Sequence, residues 1–147
     1  MLPMNVRVKR VETAAERDSS LALRRRVFVQ EQGVPPELEP DELDEAADHV
    51  LALDEAGACV GTGRLLLQSP GVGRVGRMAV EARCRGAGVG ARVLQELERV
   101  ARARGLREIV LHAQVHAQAF YDKAGYAPAG EEFEEAGIAH VTMRKRL

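Results

Sequence analysis

The sequence predicts an α/β protein, one mixed sheet with helices on both faces, in a single domain covering residues 1–147. Three observations predict it. Apolar residues switch between a spacing of two and a spacing of 3.6 in the order β, α, three strands, α, β, α, two strands. A glycine-rich turn at residues 85–90, Arg-Gly-Ala-Gly-Val-Gly, joins a strand-like run ending at Val80 to an amphipathic helix reaching about Arg104. The 147 residues suffice for one core burying about two-thirds of the unfolded surface, and no repeat, low-complexity tract or linker divides them.

Each element has its own signal. Val6, Val8 and Val11 alternate as a first strand. From about Asp18, the apolar set Leu21, Leu23, Val27 and Phe28 marks a helix to Gln32, stopped by Gly33 and Pro35. Pro36 and Pro40 keep the next stretch irregular, and residues 37–45 carry six acids and no base, the composition of a solvated loop. Residues 49–54 and 59–68 read as a hairpin about a turn at 55–57, and a second turn, 69–73, leads into a strand at 74–80. The helix after the glycine turn gathers Val89, Val93, Leu94, Leu97, Val100 and Ala101 on one face and ends at Gly105. Residues 108–113 form a short buried-type strand, 116–124 a short helix closed by Gly125, and 127–133 and 138–144 the last two strands.

A net charge of -1 and a pI near 6.4 offer no basic surface for nucleic acid or an anionic membrane. Residues 1–12 intersperse Arg7, Lys9 and Arg10 among valines, unlike a signal peptide, and no later stretch is long enough to span a bilayer. Cys59 and Cys84 are too few for a disulfide framework and lack zinc spacing. A cytoplasmic protein without a metal site is expected. His112 and His116 are four apart, but Gln114 between them lies where strand gives way to helix, so no zinc pair is expected there either.

The glycine turn carries the chemistry. Its glycines let the backbone curl tightly, and the amides opening the next helix lack intrahelical partners, so an anion is the natural ligand. The helix dipole adds roughly half a positive charge and Arg85 a full one, which suits a pyrophosphate. No Lys-Ser or Lys-Thr follows, which excludes a P-loop. Gly86, Gly88 and Ala91 satisfy G-x-G-x-x-A, but the next strand ends in His112, Ala113 and Gln114, without the acid a dinucleotide site needs for its ribose. A third spacing, R-x-x-G-x-G, fits at Arg85, Gly88 and Gly90.

With the segment Phe120-Tyr121-Asp122-Lys123-Ala124-Gly125-Tyr126 and the order of elements, that motif resembles the GNAT family of acetyl-CoA-dependent N-acetyltransferases. Residues 26–35, Arg-Val-Phe-Val-Gln-Glu-Gln-Gly-Val-Pro, and 47–51, Ala-Asp-His-Val-Leu, are similar to its ElaA-like and YjcF-like branch. The resemblance implies the GNAT-like acyl-CoA N-acyltransferase fold, with a largely antiparallel sheet, and acetyl-CoA as co-substrate. It assigns the pyrophosphate to Arg85, Gly86, Ala87, Gly88, Val89, Gly90 and Ala91. The pantetheine arm falls to Met78, Ala79 and Val80, with Phe120 and with Gln114, which stands where many relatives carry asparagine. Lys123 is a candidate for a CoA phosphate, and Arg24, Arg25, Arg26 and Arg77 are further cations open to the same reading or to solvent.

By the same resemblance Tyr121 assists the leaving thiolate. A phenol near pKa 10 against a thiol near 8.5 makes full proton transfer uphill by roughly 2 kcal/mol, so hydrogen bonding to the developing charge is the expected role. The acceptor is then a primary amine on a small molecule or protein, attacking directly in a ternary complex, and a homodimer is admitted. The base is open. Several relatives use a carboxylate on the strand before the glycine turn, and residues 74–80 contain none. Glu31, Asp44 and His49 are the candidates, Glu31 and His49 foremost. The acidic loop, where it borders the acceptor cleft, would favour a cationic amine. The alternative function is a non-catalytic acyl-CoA-binding sensor or interaction module; acyl-homoserine-lactone synthesis is more distant.

Overall fold

Strict alternation along the central strands divides their side chains between two cores. In the computed structural model, which describes residues 4–39 and 42–147, β2 (Asp48–Leu53) sends Val50 and Ala52 to one face and Leu51 to the other. On the first face α2 (Val89–Ala103) lays Val89, Val93, Leu94, Leu97, Val100 and Ala101 against the sheet. On the second, α1 (Ala14–Arg24) and the turn after it bring Leu23 and Val27 onto Leu51, Cys59 and Ala79. Helices therefore cover both faces.

The eight-stranded sheet runs β1-β2-β3-β4-β5-β8-β6, with β7 pairing β8 beside that path. Its remaining strands are β1 (Arg7–Arg10), β3 (Cys59–Ser69), β4 (Val72–Val80), β5 (Glu108–Gln114), β6 (Ala127–Pro128), β7 (Phe133–Glu135) and β8 (Ile138–Arg146). Every pairing is antiparallel except β4 with β5. The third helix, α3 (Gln118–Lys123), follows a 3-10 turn after β5.

Three local departures from expectation have physical reasons. Helix α1 starts four residues early because Thr13 and Glu16 form a capping box: the Thr13 hydroxyl accepts from Glu16 N–H at 3.1 Å, and Glu16 accepts from Thr13 N–H at 3.2 Å. Its last part, Arg25–Glu31, is wound as a π-helix, with Gln32 N–H donating to Val27 at 3.0 Å. The expected strand 127–133 is instead two short ones, since Pro128 has no N–H to extend the ladder and Gly130 turns the chain at φ 128°. Pro40 and Asp41, read as part of the irregular acidic stretch, lie outside the described residues. Among the described residues no helix is long and apolar enough to cross a membrane.

Close approach of α2 to the sheet depends on two glycines of β3. A Cβ on Gly61 would stand 2.7 Å from Val89 Cγ1 and 3.2 Å from Val93 Cγ2; one on Gly63 would stand 2.7 Å from both Leu97 Cδ1 and Met78 Sδ. Val89 and Val93, which face Gly61, have little freedom to yield, being stiff at χ1. Gly61→Ala is accordingly expected to destabilise the fold by about 1–3 kcal/mol, read as a lower urea midpoint with unchanged m-value.

Candidate active site

Strands β4 and β5 part where the site begins. Their parallel register runs from Val72 opposite Glu108 to Val75 opposite Leu111 and stops, although β4 continues to Val80 and β5 to Gln114. A bulge drives them apart: Thr62 pairs with Ala79 and Arg64 with Gly76, so Arg77 and Met78 face the single residue Gly63. Arg77 takes a left-handed φ of 52°, a conformation that costs a non-glycine residue on the order of 1 kcal/mol. On its β5 side the last turn of β4 has no strand partner, leaving backbone groups of 78–80 directed at an open cleft of about 1040 Å³.

The glycine turn closes one end of that cleft. Gly86 and Gly88 hold φ of 82° and 85°, and Arg92 is the first residue of α2 whose N–H reaches back, to the Gly88 carbonyl at 3.2 Å. The amides of Val89, Gly90 and Ala91 precede it and are the unsatisfied donors of a helix start. Gly90 lies under the Phe120 ring: a Cβ there would stand 3.3 Å from it. Of the expected donor-site residues, Met78, Ala79, Val80, Arg85, Gly86, Gly88, Val89, Gly90, Ala91, Gln114, Phe120, Tyr121 and Lys123 line the cleft. Ala87 does not. It is buried, with N–H donating to the Cys84 carbonyl and carbonyl accepting from Met4 N–H, because the positive φ on either side turns it inward.

Arg85 and Glu31 meet across the cleft. The guanidinium donates to both Glu31 oxygens, at 2.5 and 2.9 Å, and through Nε to the Val80 carbonyl at 3.1 Å. Arg85 holds the Glu31 carboxyl below the usual range, so Glu31 is ionised at neutral pH and its charge is lost only in acid. A carboxylate so held is a poor proton acceptor.

Tyr121 is 8 % exposed, packed edge-on between Phe120 and Tyr126 with ring centroids 4.9 and 5.9 Å away. Burial pushes its phenol up to about 12. The hydroxyl has no hydrogen-bond partner among the described residues, although the ring lines the cleft. Gln114 is engaged on the far wall: its amide donates to Gln32 at 2.9 Å, and its oxygen accepts from Gln32 at 3.3 Å and lies 2.6 Å from His116 Nε2.

The acidic stretch is not uniformly solvated. Glu37, Glu42 and Glu45 are exposed, but Glu39 and Asp44 are buried, drawn in by arginines. Arg24, 1 % exposed, donates to Glu39 at 2.6 Å and to both Asp44 oxygens at 2.8 and 3.1 Å. Arg64 reaches Asp44 at 2.8 Å, and Arg77 donates to the Glu39 carbonyl at 3.0 Å. Asp44 is therefore an ion-pair partner. His49, expected as a base, is 7 % exposed, sits with Nε2 2.8 Å from the Asp44 carbonyl, and does not line the cleft. Arg24 is likewise structural, and Arg26 pairs with Glu81 at 2.9 Å.

Four residues that the sequence does not bring together also line the cleft: Arg74, His112, Glu135 and His140. Pairing of β5 with β8 puts His112 opposite Thr142 and Gln114 opposite His140, so His112, Gln114 and His140 share one face. Alternation along 108–114 marks His112 as facing away from Leu111 and Ala113, but only the pairing of β5 with β8 brings in His140, and only the β7 hairpin brings in Glu135.

An open mixed sheet with two parallel strands parting above an amide-rich helix start defines the class of acyl-CoA N-acyltransferases. The sequence pattern of the Acetyltransferase (GNAT) domain matches residues 12–147, and the chain belongs to this family of acyltransferases. It is 40 % identical over 124 residues to the uncharacterized N-acetyltransferase YjcF of Bacillus subtilis, covering 84 % of this chain and 87 % of YjcF. Among solved structures it is similar to an acyl-CoA N-acyltransferase from Pseudomonas aeruginosa, with a TM-score of 0.82, 30 % identity and 97 % and 99 % of the two chains covered. Escherichia coli ElaA superposes with a TM-score of 0.84 at 25 % identity, over 96 % of this chain and 99 % of ElaA. These relatives support the ElaA-like, YjcF-like branch.

Removing one member of the buried ionic cluster strands the others without compensation. Arg24→Met is expected to cost about 3–5 kcal/mol in chemical denaturation, far more than Arg26→Met, whose exposed pair is worth about 0–1 kcal/mol.

Proposed function

We propose that the protein moves the acetyl group of acetyl-CoA to a primary amine by direct attack within a ternary complex. The observation that carries this reading is the single cleft running from the glycine turn, along the unpaired backbone of 78–80, to Tyr121. The pyrophosphate would rest on the amides of Gly86 and of Gly88 to Ala91, and the pantetheine arm would bond to Met78, Ala79 and Val80 as an added strand. Phe120 would pack beside that arm, Gln114 would meet it from β5, and Lys123 would face a phosphate. An amide of the same β4 segment would polarise the thioester oxygen, a contribution of a few kcal/mol. The similarity to an acyl-CoA N-acyltransferase over nearly the whole chain supports the donor.

The amine lone pair attacks the carbonyl carbon, forming C–N while the C=O pair moves to oxygen. Collapse restores C=O and breaks C–S; sulfur leaves with its electron pair and takes a proton lost by the new amide nitrogen. Tyr121 would donate a hydrogen bond to that sulfur. With the free site's phenol at about 12, full transfer from it to a thiolate near 8.5 would be uphill by roughly 5 kcal/mol, so it stays a donor rather than an acid.

Release of free coenzyme A over a panel of amines tests the proposal; calorimetric binding of acetyl-CoA without turnover on any amine would favour a non-catalytic binding module. Tyr121→Phe should lower kcat on the order of 100-fold while leaving coenzyme A affinity unchanged. The loss should be the same from pH 6 to 9. A phenol raised above its unfolded value keeps its proton throughout that range, and its contribution to stability is lost only as pH climbs from about 10 toward 12. Glu31→Gln frees Arg85 from a competing carboxylate and should tighten coenzyme A binding about 2- to 5-fold by calorimetry.

A further inference from the structure

Acetyl transfer to an ammonium needs a proton acceptor, and the two side chains first expected to serve are committed elsewhere: Glu31 to Arg85, His49 to a buried position behind Asp44. The face shared by β5 and β8 offers another. His112 Nδ1 stands 3.2 Å from Glu135 Oε1 and 3.0 Å from Arg74 Nη2. One neighbour accepts and the other donates, so each tautomer is served. Nδ1–H donating to Glu135 leaves the lone pair on Nε2, whereas Nδ1 accepting from Arg74 puts the proton on Nε2. Among the described residues Nε2 has no hydrogen-bond partner, and the side chain is 28 % exposed in the cleft wall.

Arg74, with Nη2 3.9 Å from Oε1, and the turn of its own chain position Glu135. It precedes the tight β7–β8 turn, where Ala136 and Gly137 both take positive φ, 52° and 77°. Below it, His140 Nδ1 donates to the Ile138 carbonyl at 2.7 Å; a neutral His140 therefore carries its lone pair on Nε2, 3.7 Å from Glu135 Oε2. Phe133 stacks on His140 and meets His112 edge-on, with centroids 5.9 and 5.0 Å apart. The carboxylate thus lies between two imidazoles with an aromatic ring on one side. Arg74, Glu135 and His140 are the charged and titratable groups that contact this site, from β4, β7 and β8 respectively.

We infer that His112 is the base that frees the acceptor amine, with Glu135 as its positioning residue. The inference rests on the N-acetyltransferase reading. An acceptor ammonium gives one proton to His112 Nε2, the N–H bonding pair staying on nitrogen as the lone pair that attacks. Nδ1–H, donated to Glu135, stabilises the imidazolium, whose extra proton passes to water. The second nitrogen proton goes to the departing sulfur, so each ammonium acetylated releases one proton overall.

The test uses the full chain and whichever amine of a panel, spermidine, tyramine and lysine amide among them, the wild type acetylates fastest. His112→Gln should lower kcat/KM by about 100- to 10,000-fold at pH 7 with coenzyme A affinity unchanged, which also shows that the variant folds. Its rate should keep climbing tenfold per pH unit as the amine deprotonates unaided, where the wild-type rate levels off before the amine deprotonates. Glu135→Gln should lose about tenfold in kcat with little change in KM. A rate in His112→Gln that levels off as the wild type's does, or a loss confined to KM, overturns the assignment. Nitrogen-15 NMR of the imidazoles in the coenzyme A complex decides the matter without any acceptor. Nδ1–H on His112 in the wild type, moving to Nε2–H in Glu135→Gln, supports the assignment; Nε2–H in the wild type defeats it. A wild type that acetylates no amine would defeat the transfer reading instead, and that NMR result would still stand.

Discussion

The parting of β4 from β5 after the Val75–Leu111 pair is the constraint from which the rest follows. In a continuous parallel sheet the backbone of 78–80 would be bonded on both sides and closed to ligands. One extra residue at the bulge, with Arg77 held in a left-handed conformation, bends β4 away instead, and the sheet acquires a gap with polar edges in its middle. The glycine turn then falls at the end of the diverging strand, and α2, seated closely on Gly61 and Gly63, aims its amide end into the gap.

Charge is what keeps the two walls of this gap in register. On one wall Arg24 and Arg64 draw Asp44 inward, and Arg24 also draws in Glu39, tying residues 39–44 to α1 and β3. Buried pairs of this kind contribute little net stability compared with apolar packing, yet they fix geometry because any rearrangement would leave a charge unpaired. Across the gap Arg85 and Glu31 are both partly exposed, so their pair adds little to stability. A partly buried pair, Glu98 with Lys145, and the Tyr126 hydroxyl on Glu98 bind α2 to β8 and to the chain beyond Tyr121. Burial and hydrogen bonding to Glu98 raise the Tyr126 phenol, which keeps its proton and remains a structural donor.

Much of this was legible in the residues. Alternation and helical spacing mark the order of elements, and the glycines of 85–90 mark the turn into α2, since both signals are local. The Thr13–Glu16 capping box is an equally local signal, and it starts α1 at Ala14. What stayed hidden depends on tertiary contacts. Six acids in nine residues look solvated unless one knows that Arg24 and Arg64 are buried beside them. Arg85 looked free for a phosphate, and Glu31, 54 positions away, looked free to act as a base; each occupies the other. His112, Glu135 and His140 are separated by intervals that carry no periodicity and meet only through β8.

The central claim is that an acyl-CoA donor lies in the gap between the parted strands, and amide hydrogen exchange measured with and without acetyl-CoA tests it most directly. Slowed exchange confined to 78–80 and 86–91, with the outer strands β1 and β2 unaffected, is the result expected when the donor bonds to β4 and the helix start. Unchanged exchange at those amides under saturating acetyl-CoA, or protection elsewhere in the sheet, would contradict it.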